Sequence, residues 1–141
     1  MIKPVLLTSS FICLLVLFCM AQSFDLEASK ERGKKLYLAQ CTTCHLKNGE
    51  GLNGVFPPVA RANNLADKNK LVKILLKGQR GLIKVNGIEY NGAMTGYPLT
   101  NEQAADMINY LRNSWGNTGK TILPSEIQTA LKAPVKGYEA F

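Results

Sequence analysis

The chain has 141 residues, 46% of them hydrophobic and 19% charged, with 12 glycines and 6 prolines. This composition excludes a disordered tract and a collagen-like repeat, and the length leaves no room for a second folding unit. Seventeen basic against ten acidic side chains give a net charge of +7, which favours acidic partners but by itself singles out neither nucleic acid nor membrane.

At the N-terminus Lys3 precedes an apolar stretch, and the segment from Phe11 to Ala21 carries no charge. That run is shorter than the roughly 20 residues that span a bilayer, and the layout is that of a cleavable signal peptide over residues 1–21. Cleavage after Ala21 is favoured over Ser23, and the bulky Phe18 before Cys19 disfavours lipoprotein processing. Left uncleaved, the same segment would hold the protein at a membrane. Cleavage removes Lys3, Cys13 and Cys19, so the mature chain keeps Cys41 and Cys44 as its cysteines and a charge of +6.

Asp25 is a candidate N-cap and Glu27 suits a first helical turn, which predicts a helix over residues 26–40 with Leu26, Gly33, Leu36 and Tyr37 near one face. A glycine inside a helix costs roughly 1 kcal/mol relative to Ala, so Gly33 points to another backbone packed close by. The helix runs into Cys41-Thr42-Thr43-Cys44-His45, which holds the only histidine in the chain. Two thiols with two residues between them can add across the two vinyl groups of one haem while the adjacent imidazole reaches the iron. A thioredoxin-like redox pair would need a strand before Cys41, where the pattern is helical, and a zinc site would need a fourth ligand that only a carboxylate could supply.

Further along, Asp67 caps a predicted helix from Lys68 to Lys77 that ends at Gly78, with Leu71, Ile74 and Leu75 inward and Lys68, Lys70, Lys73 and Lys77 on a solvated side. Leu82 to Tyr90 surrounds Asn86-Gly87, a dipeptide suited to the positive φ angles of a tight turn, and predicts a small hairpin. Thr100 and Gln103 form a capping box for a helix whose inner face runs Ala104, Ile108, Leu111 and Trp115 until Gly116 stops it. Beyond it, residues 118–141 form an extension with two prolines, in which only Ser125 to Lys132 reads as helical.

A helix leading into Cys41-Thr42-Thr43-Cys44-His45, a Gly-rich loop ending in Phe56-Pro57-Pro58, an Asn91-Gly92-Ala93-Met94 segment and a Tyr110-Leu111 helix together resemble a class I (monohaem) cytochrome c. The resemblance covers about residues 25–117, so the domain is placed at 22–117. Within that family, Lys84-Val85-Asn86-Gly87, Tyr90-Asn91-Gly92 and the Arg112–Asn117 ending are similar to bacterial periplasmic cytochromes that act with dehydrogenases, nitrite reductases and oxidases. The resemblance implies an all-α fold in which the N- and C-terminal helices cross around one covalently bound haem c, with a small β-hairpin. Gly33 and Tyr37 would meet Met107, Tyr110 and Leu111 at that crossing.

With no second histidine, a thioether is the ordinary second axial ligand, and only Met94 and Met107 survive signal removal. Met94, in a glycine-flanked segment read as irregular, is expected to bind the iron opposite His45, and Met107 to serve the core. The family commonly places Pro after this methionine, whereas Thr95 follows here. The family also orients its histidine through a loop proline carbonyl, for which Pro57 matches best and Pro58 is the alternative.

Such coordination leaves no open iron site and implies a soluble, exported one-electron carrier rather than an enzyme. The alternatives are a haem subunit of a larger oxidoreductase complex, or a gas-binding sensor if Met94 is displaced. The expected partners are redox proteins such as a dehydrogenase, reductase or terminal oxidase with an acidic docking surface near Lys47, not nucleic acid.

Overall fold

The computed structural model describes residues 23–141, so the signal-peptide reading of residues 1–21 lies outside the described residues. Five α-helices and one two-stranded antiparallel sheet follow in chain order within this range: α1 (Leu26–Gln40), α2 (Thr42–His45), α3 (Lys68–Lys77), β1 (Gln79–Val85), β2 (Ile88–Met94), α4 (Asn101–Arg112) and α5 (Ile127–Lys132). None of the described helices is long and apolar enough to cross a membrane.

Local chemistry sets most of the boundaries. Asp25 accepts from the Ala28 amide at the start of α1, Asp67 from the Asn69 and Lys70 amides at the start of α3, and Thr100 and Gln103 bond reciprocally at the start of α4. Asn86 and Gly87 take φ of 50° and 86°, the turn conformation that the right-handed twist of a hairpin requires. The ladder is longer than the sequence pattern suggests, pairing Gln79 with Met94 at its open end.

The C-terminal helix is shorter than its apolar pattern. It ends at Arg112, and Trp115 sits in a loop with φ of 53°. The Leu111 carbonyl, which the Trp115 amide would take in a continued helix, instead accepts from the Asn117 side chain at 2.7 Å. Similarly, the Asn109 carbonyl accepts from the Asn113 side chain at 2.9 Å. Two asparagines thus unwind the last turn by satisfying its carbonyls from outside.

Helices α1 and α4 touch backbone to backbone at Gly33, where an added Cβ would stand 2.0 Å from the Asp106 carbonyl oxygen. Around this contact lies a polar network, buried at Ser29, Asp106 and Asn109 and reached from the surface by Arg32. Arg32 grips Asp106 with two bonds of 2.7 and 2.8 Å, Ser29 donates to Asp106 at 2.6 Å, and Asn109 donates to both Ser29 and the Ile122 carbonyl at 3.0 Å. The Ile122 amide returns a bond to Asn109 at 2.9 Å, so the extension is tied into the helix crossing. Tyr37, Tyr110 and Trp115 close the far end of the crossing as a triad with ring centroids 5.0–5.6 Å apart, each pair worth about 0.5–1.5 kcal/mol beyond its burial.

The expectation of a solvated lysine face on α3 is corrected here. Lys68 pairs with Glu126, Lys73 donates to the Leu131 carbonyl at 2.6 Å, and Lys70 donates to the Gly137 carbonyl at 3.0 Å. Three of the four lysines therefore receive the chain beyond Asn117, and on the inner face Val72 is buried more completely than Ile74. The extension brings Ile122 and Ile127, both with 0% exposure, into the same core as Val72, Met107 and Ile108. Each such isoleucine contributes about 1.5–3 kcal/mol of burial.

Candidate functional site

The Cys41–His45 segment forms a single tight turn of helix directly after α1. Cys41 caps α2, its amide bonded to the Tyr37 carbonyl at 2.9 Å, and the His45 amide returns to the Cys41 carbonyl at 2.9 Å. Both thiols are free. Cys41 is buried and its thiol is pushed up to about 11, first by that burial and then by the neighbouring Cys44. Tyr37 holds the turn from the other side, its hydroxyl donating to the Leu46 carbonyl at 2.6 Å.

The loop after His45 folds back through glycines. Gly49 and Gly51 have φ of 72° and 62°, and a Cβ on Gly51 would meet the Phe56 carbonyl oxygen at 2.4 Å and the Pro57 carbonyl oxygen at 2.8 Å. The Gly51 amide donates to the His45 carbonyl at 3.0 Å, and the Leu52 amide to the Phe56 carbonyl at 2.8 Å. This doubled-back loop presents the Pro57 carbonyl 2.9 Å from His45 Nδ1. A carbonyl only accepts, so Nδ1 carries the proton and the Nε2 lone pair is left available as a ligand. Burial lowers the His45 pKa, which the Pro57 bond partly offsets, and this favours the same neutral imidazole.

Met94 comes from a different part of the fold. It stands at the end of β2, half-buried, which corrects the expectation of an irregular segment. Its backbone lies against Gly78 at the end of α3, where a Cβ would come 2.3 Å from the Met94 carbonyl oxygen. Gly96 makes the reciprocal approach, 2.5 Å from the Leu76 carbonyl oxygen, and the Tyr97 amide donates to the Leu75 carbonyl at 2.9 Å. The Tyr97 hydroxyl then reaches the Gln40 carbonyl at 3.0 Å, tying the segment after Met94 to the end of α1 beside Cys41. Met107 has 0% exposure within the helix crossing.

Sequence reasoning passed over Asn117, whose side chain donates to the Val59 and Leu111 carbonyls at 2.7 Å each and accepts from the Ala62 amide at 3.2 Å. It thereby fixes the stretch that follows Pro57-Pro58. Gly78 is read from the sequence only as the end of α3, and neither its approach to the Met94 backbone nor the role of Gly96, two residues past Met94, is anticipated there.

Two free thiols, one capping a short helix and one within it, next to an imidazole whose Nδ1 is already bonded to a carbonyl, fit the covalent attachment of a c-type haem. Among the described residues no group of three or more His, Cys, Asp or Glu side chains is arranged to hold a metal ion.

Residues 30–115 match the family model described as Cytochrome c. Cytochrome c-552 of Thermus thermophilus is 40% identical over 94 residues, covering 62% of this chain and 71% of that protein. The cytochrome c subunit of the quinone alcohol dehydrogenase of Gluconobacter oxydans (strain 621H) is 33% identical over 103 residues, and the gluconate 2-dehydrogenase cytochrome c subunit of Pantoea cypripedii is 30% identical over 107. The matches cover 68% and 72% of this chain but only 21% and 24% of those subunits.

Proposed function

Because the chain belongs to the cytochrome c family, whose members carry covalent haem c and transfer electrons, we propose that it is an exported, periplasmic one-electron carrier with a single haem held by Cys41 and Cys44 and bound axially by His45 and Met94. The observation that carries this reading is the His45 Nδ1 bond to the Pro57 carbonyl, which leaves Nε2 as the free donor beside two unpaired thiols. Haem c, when bound, supplies reversible one-electron exchange at iron. The protein's own groups do the rest. Cys41 and Cys44 tether, Pro57 fixes the imidazole tautomer and tilt, and the Gly78–Gly96 contact braces the strand end that bears Met94. With His45 and Met94 holding the iron, no site would remain for a substrate, and electrons would exchange with a partner protein.

The test is a pair of methionine variants in the protein matured by an exporting host. Met94→Ala is expected to abolish the weak long-wavelength sulfur-to-iron absorption of the oxidised protein and to open the iron to carbon monoxide or cyanide. Met107→Ala is expected to leave the spectrum intact and cost about 2–4 kcal/mol of stability. Loss of the sulfur band in Met107→Ala, with Met94→Ala unaffected, would reject the assignment. Haem retained on denaturing electrophoresis in a Cys41→Ala, Cys44→Ala double variant would reject covalent attachment through these residues.

A second reading, a haem subunit within a dehydrogenase complex, is favoured by the similarity to the alcohol and gluconate dehydrogenase subunits. Co-purification with a second chain from the native source separates the two; a protein recovered alone and active as an electron acceptor supports the free carrier.

A further inference from the structure

The last five residues lie across the joint that carries Met94. Tyr138 Oη is 2.9 Å from the Gly78 carbonyl, to which it donates, and 3.3 Å from the Lys73 carbonyl. Gly78 is the residue against which the Met94 carbonyl packs, and the same added Cβ that would meet that carbonyl would also meet the Phe141 Cβ at 2.8 Å. Met94 and Phe141 thus both crowd the space beside the Gly78 Cα, where φ is 74°.

The same segment is fastened along its length. Lys70 donates to the Gly137 carbonyl at 3.0 Å, and the Lys73 ammonium lies 5.8 Å from the centre of the Tyr138 ring. Next to Gly78, the Arg80 amide donates to the Glu139 carbonyl at 3.1 Å and the Arg80 guanidinium pairs with the Glu139 carboxylate at 2.8 Å. Arg80 belongs to β1, the partner strand of the one that ends in Met94.

We propose that residues 137–141 act as a strap on the distal-ligand joint, with Tyr138 as a positioning residue that holds the Gly78 carbonyl and, through Gly78, the backbone of Met94. The proposal rests on Met94 being the distal ligand. A thioether is a weak, displaceable ligand, so its hold on iron depends on how rarely the backbone that carries it swings away. The strap raises the cost of that excursion by adding the Tyr138–Gly78 hydrogen bond, the Arg80–Glu139 backbone hydrogen bond and the Arg80–Glu139 ion pair, which must part before the hairpin end can move.

The experiment measures the rate at which cyanide captures the oxidised, haem-loaded protein, together with the pH at which the sulfur-to-iron band disappears. Tyr138→Phe keeps the ring beside Lys73 and removes only the hydroxyl; its capture rate is expected to rise about three- to tenfold, the range that losing one ordinary hydrogen bond supports. A chain ending at Lys136 is expected to capture cyanide at least roughly tenfold faster and to lose the band at lower pH. Ile127→Ala, which weakens the extension away from Gly78, is expected to stay within about twofold of the parent despite its lower melting temperature. If the shortened chain fails to accumulate, Tyr138→Phe carries the test alone. Parental capture rates in Tyr138→Phe and the shortened chain, or an equal rise in Ile127→Ala, would overturn the strap while leaving the ligand reading intact. A sulfur band that survives Met94→Ala would overturn both.

Discussion

The Pro57 carbonyl sits 2.9 Å from His45 Nδ1, and what puts it there is a glycine six residues after the histidine. Gly51 adopts φ of 62° and brings its Cα so close to the Phe56 and Pro57 carbonyls that no side chain fits. Orientation of the His45 imidazole is thus a property of loop backbone rather than of a neighbouring side chain.

Gly51→Ala is therefore expected to disturb the proposed site more than the stability. The strained φ and the 2.4 Å approach to the Phe56 carbonyl together cost about 1–3 kcal/mol, and relief requires the Pro57 carbonyl to move. The holoprotein should show an altered axial spectrum and a lowered yield. A variant with parental spectrum and yield would remove the loop from the account.

Gly33→Ala tests the helix crossing. A methyl 2.0 Å from the Asp106 carbonyl forces α1 and α4 apart and strains the Arg32–Asp106–Ser29 network, which is expected to cost about 1–3 kcal/mol. The melting temperature of the holoprotein measures it. Substitution at Lys34, exposed on the same helix, should change it little.

The pairing of Lys68 with Glu126 predicts an acid sensitivity of the extension. The Lys68 ammonium first, and the Leu123 amide second, hold the Glu126 carboxylate below its ordinary range. A depressed carboxylate adds stability that is present above its unfolded value and disappears as pH falls through its folded value. Lys68→Gln should therefore lower the melting temperature near neutrality by a small amount, consistent with the roughly 0–1 kcal/mol of an exposed pair, and the gap should close under acid conditions below pH 4.5. Parallel melting curves at every pH would rule this out.

Electron exchange with an acidic native partner is expected to slow as ionic strength rises, because Lys47 stands exposed two residues beyond His45 on a mature chain expected to carry +6. The same loop exposes Leu52, Val55 and Phe56, so an apolar share of the docking energy should persist at high salt. Lys47→Glu should reduce the second-order rate roughly tenfold at low ionic strength and much less at high. A rate independent of salt in both proteins would assign docking to the apolar loop alone.

Much of this molecule is legible without coordinates because the governing interactions close within a few residues. Asp25, Asp67 and the Thr100–Gln103 box start the helices where the pattern says, Asn86-Gly87 makes the turn, and Gly33 announces the close helix contact. The Cys41–His45 spacing likewise points to covalent haem c, the cofactor of the family that residues 30–115 match. What the sequence left open depends on partners far away along the chain. Trp115 leaves the helix because Asn117 bonds the Leu111 carbonyl and, 58 residues back, Val59; three lysines of α3 are engaged because a segment 58 to 67 residues later returns to them. Met94 ends a strand rather than lying in an irregular segment because Gly78 and Gly96 admit close backbone contacts there. Local propensity decides where an element begins, but which carbonyl a side chain satisfies and which lysine meets solvent are settled only when distant segments compete for the same surface.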